Sequence, residues 1–154
     1  MRRNQRNQSK RISGEKMKIA VVVSRFNDDV TNGLLQGAME SLLENKVKEK
    51  NIKIIRVPGA FEIPLACQKL AMTKKYDGII ALGCIIKGET DHYYYISNEV
   101  SRGIMRIMLE YSIPIGFGVL TTTNLKEAKD RSGKKGNKGT EAAEAVLKMT
   151  EILG

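Results

Sequence analysis

From residue 17 onward the hydrophobic pattern of this chain switches its period back and forth between strand and helix, and that switching limits the fold more than any other feature. "MKIAVVVS" (17–24) is a near-continuous β-branched run, as expected of a strand buried on both faces. Val30, Leu34, Ala38 and Leu42 then recur every fourth residue, the spacing of one helical face. "NIKIIRV" (51–57) reads as a second strand, and "EIPLACQKLAMTKK" (62–75) as a helix that tolerates Pro64 in its first turn. "GIIALGCII" (78–86) is a third strand, and the helix after it carries a stripe of Ile96, Val100, Ile104, Ile107, Met108 and Tyr111. "IPIGFGVLT" (113–121) is a fourth strand, entered through Pro114, and Ala142, Val146, Met149 and Leu153 share one face of a last helix. This alternation predicts an α/β fold: a four-stranded parallel sheet with helices on both faces, a three-layer α/β/α sandwich.

With 154 residues, 42% of them apolar, the chain is one domain with enough material for a real core. Its longest apolar runs fall far short of the roughly 20 residues of a spanning helix, and no charged-then-apolar leader opens it, so a cytoplasmic protein with no membrane partner is expected. The charge of +9 suggests nucleic acid until its location is read. Residues 1–18 hold seven of the 26 Lys and Arg and one of the 17 acids, a net +6, which leaves +3 for the other 136 residues. The excess belongs to a basic N-terminal arm (1–18), read as solvated and mobile, ahead of a single domain (19–154). No zinc finger, aromatic RNA-binding pair or GXXG loop accompanies it, so nucleic acid is not the expected partner. Cys67 and Cys84 lie in apolar runs without metal-ligand spacing and read as buried free thiols, with a disulfide or a reactive thiol as the alternatives.

In open parallel sheets, ligands bind beyond the carboxyl ends of the strands. Here those ends run out at "SRFND", "PGAFE", "KGETDH" and "TTTN". Phe26 and Phe61 therefore stand at strand ends, where core packing would place a phenylalanine inside an element, as it does Phe117. Two such rings at one end of a sheet suit a flat heteroaromatic ligand. Gly88 lets the backbone approach a ligand, and Glu89, Thr90 and Asp91 lead into a helix whose first N–H groups are unsatisfied, an anion site suited to phosphate. His92, the only histidine, falls in the first turn, where the positive end of the helix dipole disfavours the imidazolium and suits a proton-transfer role. A helix cap or core histidine is the alternative. "DRSGKKGNKGTEAAEA" (130–145) combines glycines with Arg131, Lys134, Lys135 and Lys138; it reads as a phosphate loop or a solvated basic turn. The Walker order is absent, and no GxGxxG follows the first strand, so no dinucleotide cofactor is expected.

"SRFN", "VPGAFEIPLA", "DGIIALGCIIKGETDH", "FGVLTT" and "GNKGTEAA", in that order from about Lys18 to the C-terminus, make the sequence resemble the lumazine synthase family. The resemblance implies a flavodoxin-like fold. It also implies condensation of 5-amino-6-ribitylaminouracil with 3,4-dihydroxy-2-butanone 4-phosphate to 6,7-dimethyl-8-ribityllumazine, releasing phosphate and water, without metal or cofactor. By the same resemblance Phe26 stacks on the pyrimidine, while Asn27, Ala60, Phe61 and Glu62 line the ring and ribityl chain. Gly88, Glu89 and Thr90 hold the phosphate, and His92 moves protons. Phe117, Arg131 and Lys138 are implied to come from the neighbouring subunit, closing the ring pocket, pairing with phosphate and reaching the pyrimidine respectively.

Pentamers with sites between adjacent subunits follow from the resemblance, and in some members of the family a shell of sixty subunits; it also brings association with riboflavin synthase into view. The chain departs from the family in three places. One residue fewer separates Arg131 from "GNKG" than in shell-forming members, Tyr94 replaces an acidic residue, and Glu127 replaces a glutamine. An archaeal-type riboflavin synthase would share the sheet and the pentamer but not "SRFN" and "GETDH". A non-enzymatic flavin-binding or shell-forming protein is the remaining alternative.

Overall fold

A computed structural model describes residues 12–154. The reading of residues 1–11 as part of a solvated basic arm lies outside the described residues. From residue 12 the chain already lies against the body. Ile12 is buried, its N–H donates to Asn45 Oδ1, Gly14 N–H donates to Asn45 O, and Lys18 N–H donates to the Asp77 carboxylate.

Four strands form one sheet: β1 (Ile19–Ser24), β2 (Ile52–Val57), β3 (Gly78–Ile86) and β4 (Ile115–Thr122). Their order is β2-β1-β3-β4 and every pairing is parallel, β1 matching Ile19 to Ile52 on one side and to Gly78 on the other. Five α-helices connect them: α1 (Asp28–Glu44), α2 (Ile63–Met72), α3 (His92–Tyr111), α4 (Leu125–Asp130) and α5 (Lys138–Leu153).

Strand alternation sorts the core into two halves. Ile19, Val21 and Val23 of β1 face Leu34, Ala38 and Leu42 of α1, Ala128 of α4 and Val146 and Leu147 of α5. Ala20 and Val22 face the other way, onto Ile63 and Cys67 of α2 and Val100, Ile104 and Ile107 of α3. A sheet sandwiched between helices on both faces is the three-layer α/β/α arrangement, and its strand order is that of the flavodoxin-like fold. Each fully buried Val or Ile contributes about 1.5–3 kcal/mol relative to exposure, so β1, buried at all six positions, anchors the sheet.

Three details differ from the sequence-based expectation. Phe117 lies within β4, but that strand is a sheet edge and leaves the ring 49% exposed, on the face it shares with buried Ile115 and Val119. Met149 and Leu153 are exposed although Ala142 and Val146, on the same face of α5, are buried. They line a shallow apolar groove with Leu109, Ile113 and Pro114. The second helix is shorter than its pattern suggests, since residues Ala60–Glu62 form a 3-10 turn and α2 proper ends at Met72. Among the described residues, no helix is long and apolar enough to cross a membrane.

Candidate functional site

In this topology the connection after β1 runs to β2 on one side of the sheet, and the connection after β3 runs to β4 on the other. The crevice beyond the carboxyl ends of β1 and β3 is therefore the switch point where ligands bind such sheets. A cleft of about 1080 Å³ opens there.

Its first wall is "SRFN". Past the end of β1 the ladder continues, with Arg25 N–H donating to Val57 O (2.8 Å) and Phe26 N–H to Pro58 O (3.0 Å). These bonds fix the backbone of Phe26 while its ring stays 71% exposed. Asn27 turns the chain in the left-handed region (φ 61°, ψ 50°), which asparagine tolerates better than most residues, and thereby starts α1. Its side-chain amide donates to Cys84 O (3.2 Å), tying the β1 exit across the crevice to β3. The second wall is the 3-10 turn carrying Ala60, Phe61 and Glu62, where the Phe61 ring is 62% exposed. Both phenylalanines present apolar faces to the same cleft.

The third wall is the β3 exit. Lys87 N–H donates to Thr122 O, and then the chain leaves the sheet. Among the described residues, the N–H groups of Gly88, Glu89 and Thr90 make no hydrogen bond, so they stand free in the turn that leads into α3. A side chain at Gly88 would meet nothing within 4 Å, so the glycine keeps that side of the turn open to a ligand rather than relieving strain. His92 is the first residue of α3, its N–H directed at the Thr90 hydroxyl oxygen (3.4 Å).

Phe26, Asn27, Ala60, Phe61, Glu62, Gly88, Thr90 and His92 thus line one cleft. Glu89 is exposed in the same turn but does not line it, and Phe117, Arg131 and Lys138 lie outside it altogether. The Arg131 guanidinium donates to Glu127 O (3.0 Å), and the Lys138 ammonium pairs with Glu141 (2.8 Å). The basic segment follows a helix rather than a strand, and Asn137 organises it. That side chain is only 8% exposed; its oxygen caps α5 by accepting from Gly139 and Thr140 N–H, and its amide donates to Gly33 O and Gly133 O. At the foot of α4, the Thr123 hydroxyl and N–H both donate to the Glu127 carboxylate and hold it below the usual carboxylate range, with Arg131 adding to the effect.

Sequence reasoning missed Cys84, Ile85 and Ile86, whose strand end forms the cleft floor, and Lys87, Tyr93 and Tyr95 at its side. Nothing in an apolar run marks which residues lie at a floor; only the pairing of β3 with its neighbours does. Cys67 and Cys84 are free thiols, and burial pushes them up to about 12 and about 11. Among the described residues, no three His, Cys, Asp or Glu side chains gather as a metal centre would need.

The family model described as 6,7-dimethyl-8-ribityllumazine synthase matches residues 16–154, from just before β1 to the last residue. That span contains the whole sheet, all five helices and every wall of the cleft, and with it the chain belongs to the 6,7-dimethyl-8-ribityllumazine synthase family.

Proposed function

We propose that the protein is the 6,7-dimethyl-8-ribityllumazine synthase of a riboflavin pathway. It condenses 5-amino-6-ribitylaminouracil with 3,4-dihydroxy-2-butanone 4-phosphate and releases phosphate and water, with no metal or cofactor. The observation that carries this reading is the single cleft, in a chain of this family, that joins two exposed phenylalanine faces to a free helix start and a histidine.

The reaction asks for three things, and the cleft offers each. A flat pyrimidine needs an apolar face, which Phe26 supplies, with Asn27, Ala60, Phe61 and Glu62 along the ring and ribityl chain. A phosphate dianion needs unpaired N–H donors in a turn that leads into a helix, which Gly88, Glu89 and Thr90 provide. Joining amine to ketone expels water, and expelling phosphate from the carbon chain requires removal of a proton beside the new C=N bond; His92 is placed at the phosphate turn to move it.

Phe117, Arg131 and Lys138 complete the site from an adjacent subunit. The functional unit is accordingly a homo-oligomer, a pentamer, with the sixty-subunit shell and association with riboflavin synthase as further assembly steps. The protein acts in the cytoplasm, and its catalytic domain spans residues 19–154.

An absorbance assay with both purified substrates, with phosphate followed in the same sample, tests the reading. Lumazine and phosphate should appear one for one. A folded, assembled protein that binds riboflavin but yields neither product would sink it in favour of a binding protein.

A further inference from the structure

Lys87 lines the cleft beside Gly88 and Thr90, and among the described residues that line it no other lysine or arginine occurs. Its backbone is fixed one step beyond β3 by the bond to Thr122 O (2.9 Å). Its ammonium lies over the Tyr94 ring, 5.6 Å from the centroid. That ring is held by an edge-to-face contact with Tyr93, centroids 5.1 Å apart and planes at 84°. Tyr93 in turn packs against the core between the sheet and the α2/α3 layer. A chain of contacts therefore runs from the core to the ammonium of a residue that lines the cleft, through a Tyr94 ring that does not itself line it.

The nature of the holder matters. Among the described residues, no carboxylate lies within ion-pair distance of Lys87, whereas the Lys138 ammonium is already paired with Glu141. An aromatic face attracts a cation through its quadrupole without cancelling its charge or occupying its N–H donors. A carboxylate in the same place would do both, and would compete with an incoming anion.

We propose that Lys87 binds the phosphate of the substrate from the same chain that supplies the Gly88–Thr90 turn, and that Tyr94 is its positioning residue. The proposal rests on the functional reading above and adds a binding group to it. The ligand chemistry is a phosphate monoester dianion; free inorganic phosphate shares it.

The test measures both. Lys87→Met should raise the KM for the butanone phosphate ~10-fold, the loss of one charge-assisted contact, while kcat and the KM for the pyrimidine stay within about twofold. Lys87→Arg should recover most of the loss. Tyr94→Leu should raise the same KM ~3-fold, and Tyr94→Phe, which keeps the ring face, should not. Inhibition by inorganic phosphate should weaken by the same factors. Lys87→Gln replaces Lys87→Met if that variant does not fold. An unchanged KM for the phosphate substrate in the folded Lys87 variants overturns the proposal, as does Tyr94→Phe being as impaired as Tyr94→Leu. If the wild type forms no lumazine, the functional reading fails separately. Calorimetric titration with inorganic phosphate still decides this one: equal affinity of wild type and Lys87→Met refutes it, and a ~10-fold loss supports it.

Discussion

His92 stands where local chain geometry puts it, at the first position of α3 with its N–H on the Thr90 hydroxyl, and no core packing depends on its exposed ring. Replacing it should therefore separate chemistry from folding. His92→Ala is expected to lower kcat by ~100-fold with the melting temperature nearly unchanged, the lower end for loss of a general acid or base. Steady-state kinetics on the folded variant checks it; a change under threefold would leave the histidine a positioning role only. The thiols show the opposite extreme, residues whose behaviour is set entirely by packing. Their ordinary value is 9.0, yet burial holds Cys84 protonated to about 11 and Cys67 to about 12. The unfolded chain ionises first, so folding stability should decline as pH rises through that window. Native protein at pH 8 should react with a disulfide reagent far more slowly than denatured protein, and rapid native labelling of either thiol would contradict the buried assignment. Phe26, Phe61 and His92 were legible in the sequence because each is an unusual residue at a strand end. Cys84 and Lys87 were not, because their place at the cleft follows from β3 pairing with β1 and β4.

Elements divide in the same way. β1 and β3 were readable because strands buried on both faces leave unbroken aliphatic runs. β4 carried the same pattern, but its position at the edge is a property of the sheet, so the exposure of Phe117 was not in the sequence. The junction of α1 with α5 is legible only as scattered glycines and an asparagine. In the fold, Gly37 of α1 faces the Asn137 side chain so closely that a Cβ there would collide with it, and Asn137 spends all four of its contacts on Gly33, Gly133, Gly139 and Thr140. Asn137→Ala removes an N-cap and two part-buried bonds to the Gly33 and Gly133 carbonyls, and should cost about 2–3 kcal/mol. Urea unfolding measures it, and a loss below about 0.5 kcal/mol would show that water takes over these bonds. Because the same bonds hold the segment between α4 and α5, Arg131 should also lose its fixed position in that variant.

At the scale of the whole molecule, the separation of residues within one chain carries an argument about assembly. The cleft holds His92, while Arg131 and Lys138 begin and follow a basic turn that does not reach it. If each site combines one chain's cleft with the next chain's turn, two defects on different chains can cancel. His92→Ala and Arg131→Ala should each be nearly inactive alone. Mixed after denaturation and refolded together, an Arg131→Ala chain supplies an intact His92 and a His92→Ala neighbour supplies an intact arginine. In a closed ring with head-to-tail contacts and random mixing, about a quarter of the sites are then whole. Activity should rise toward that fraction of wild type, while the two variants mixed as already assembled proteins should show no gain. If co-refolded protein of the same oligomeric size remains as inactive as its parents, both residues serve the same chain's site. Arg131 would then have to reach the cleft by a movement of the α4–α5 segment within one subunit.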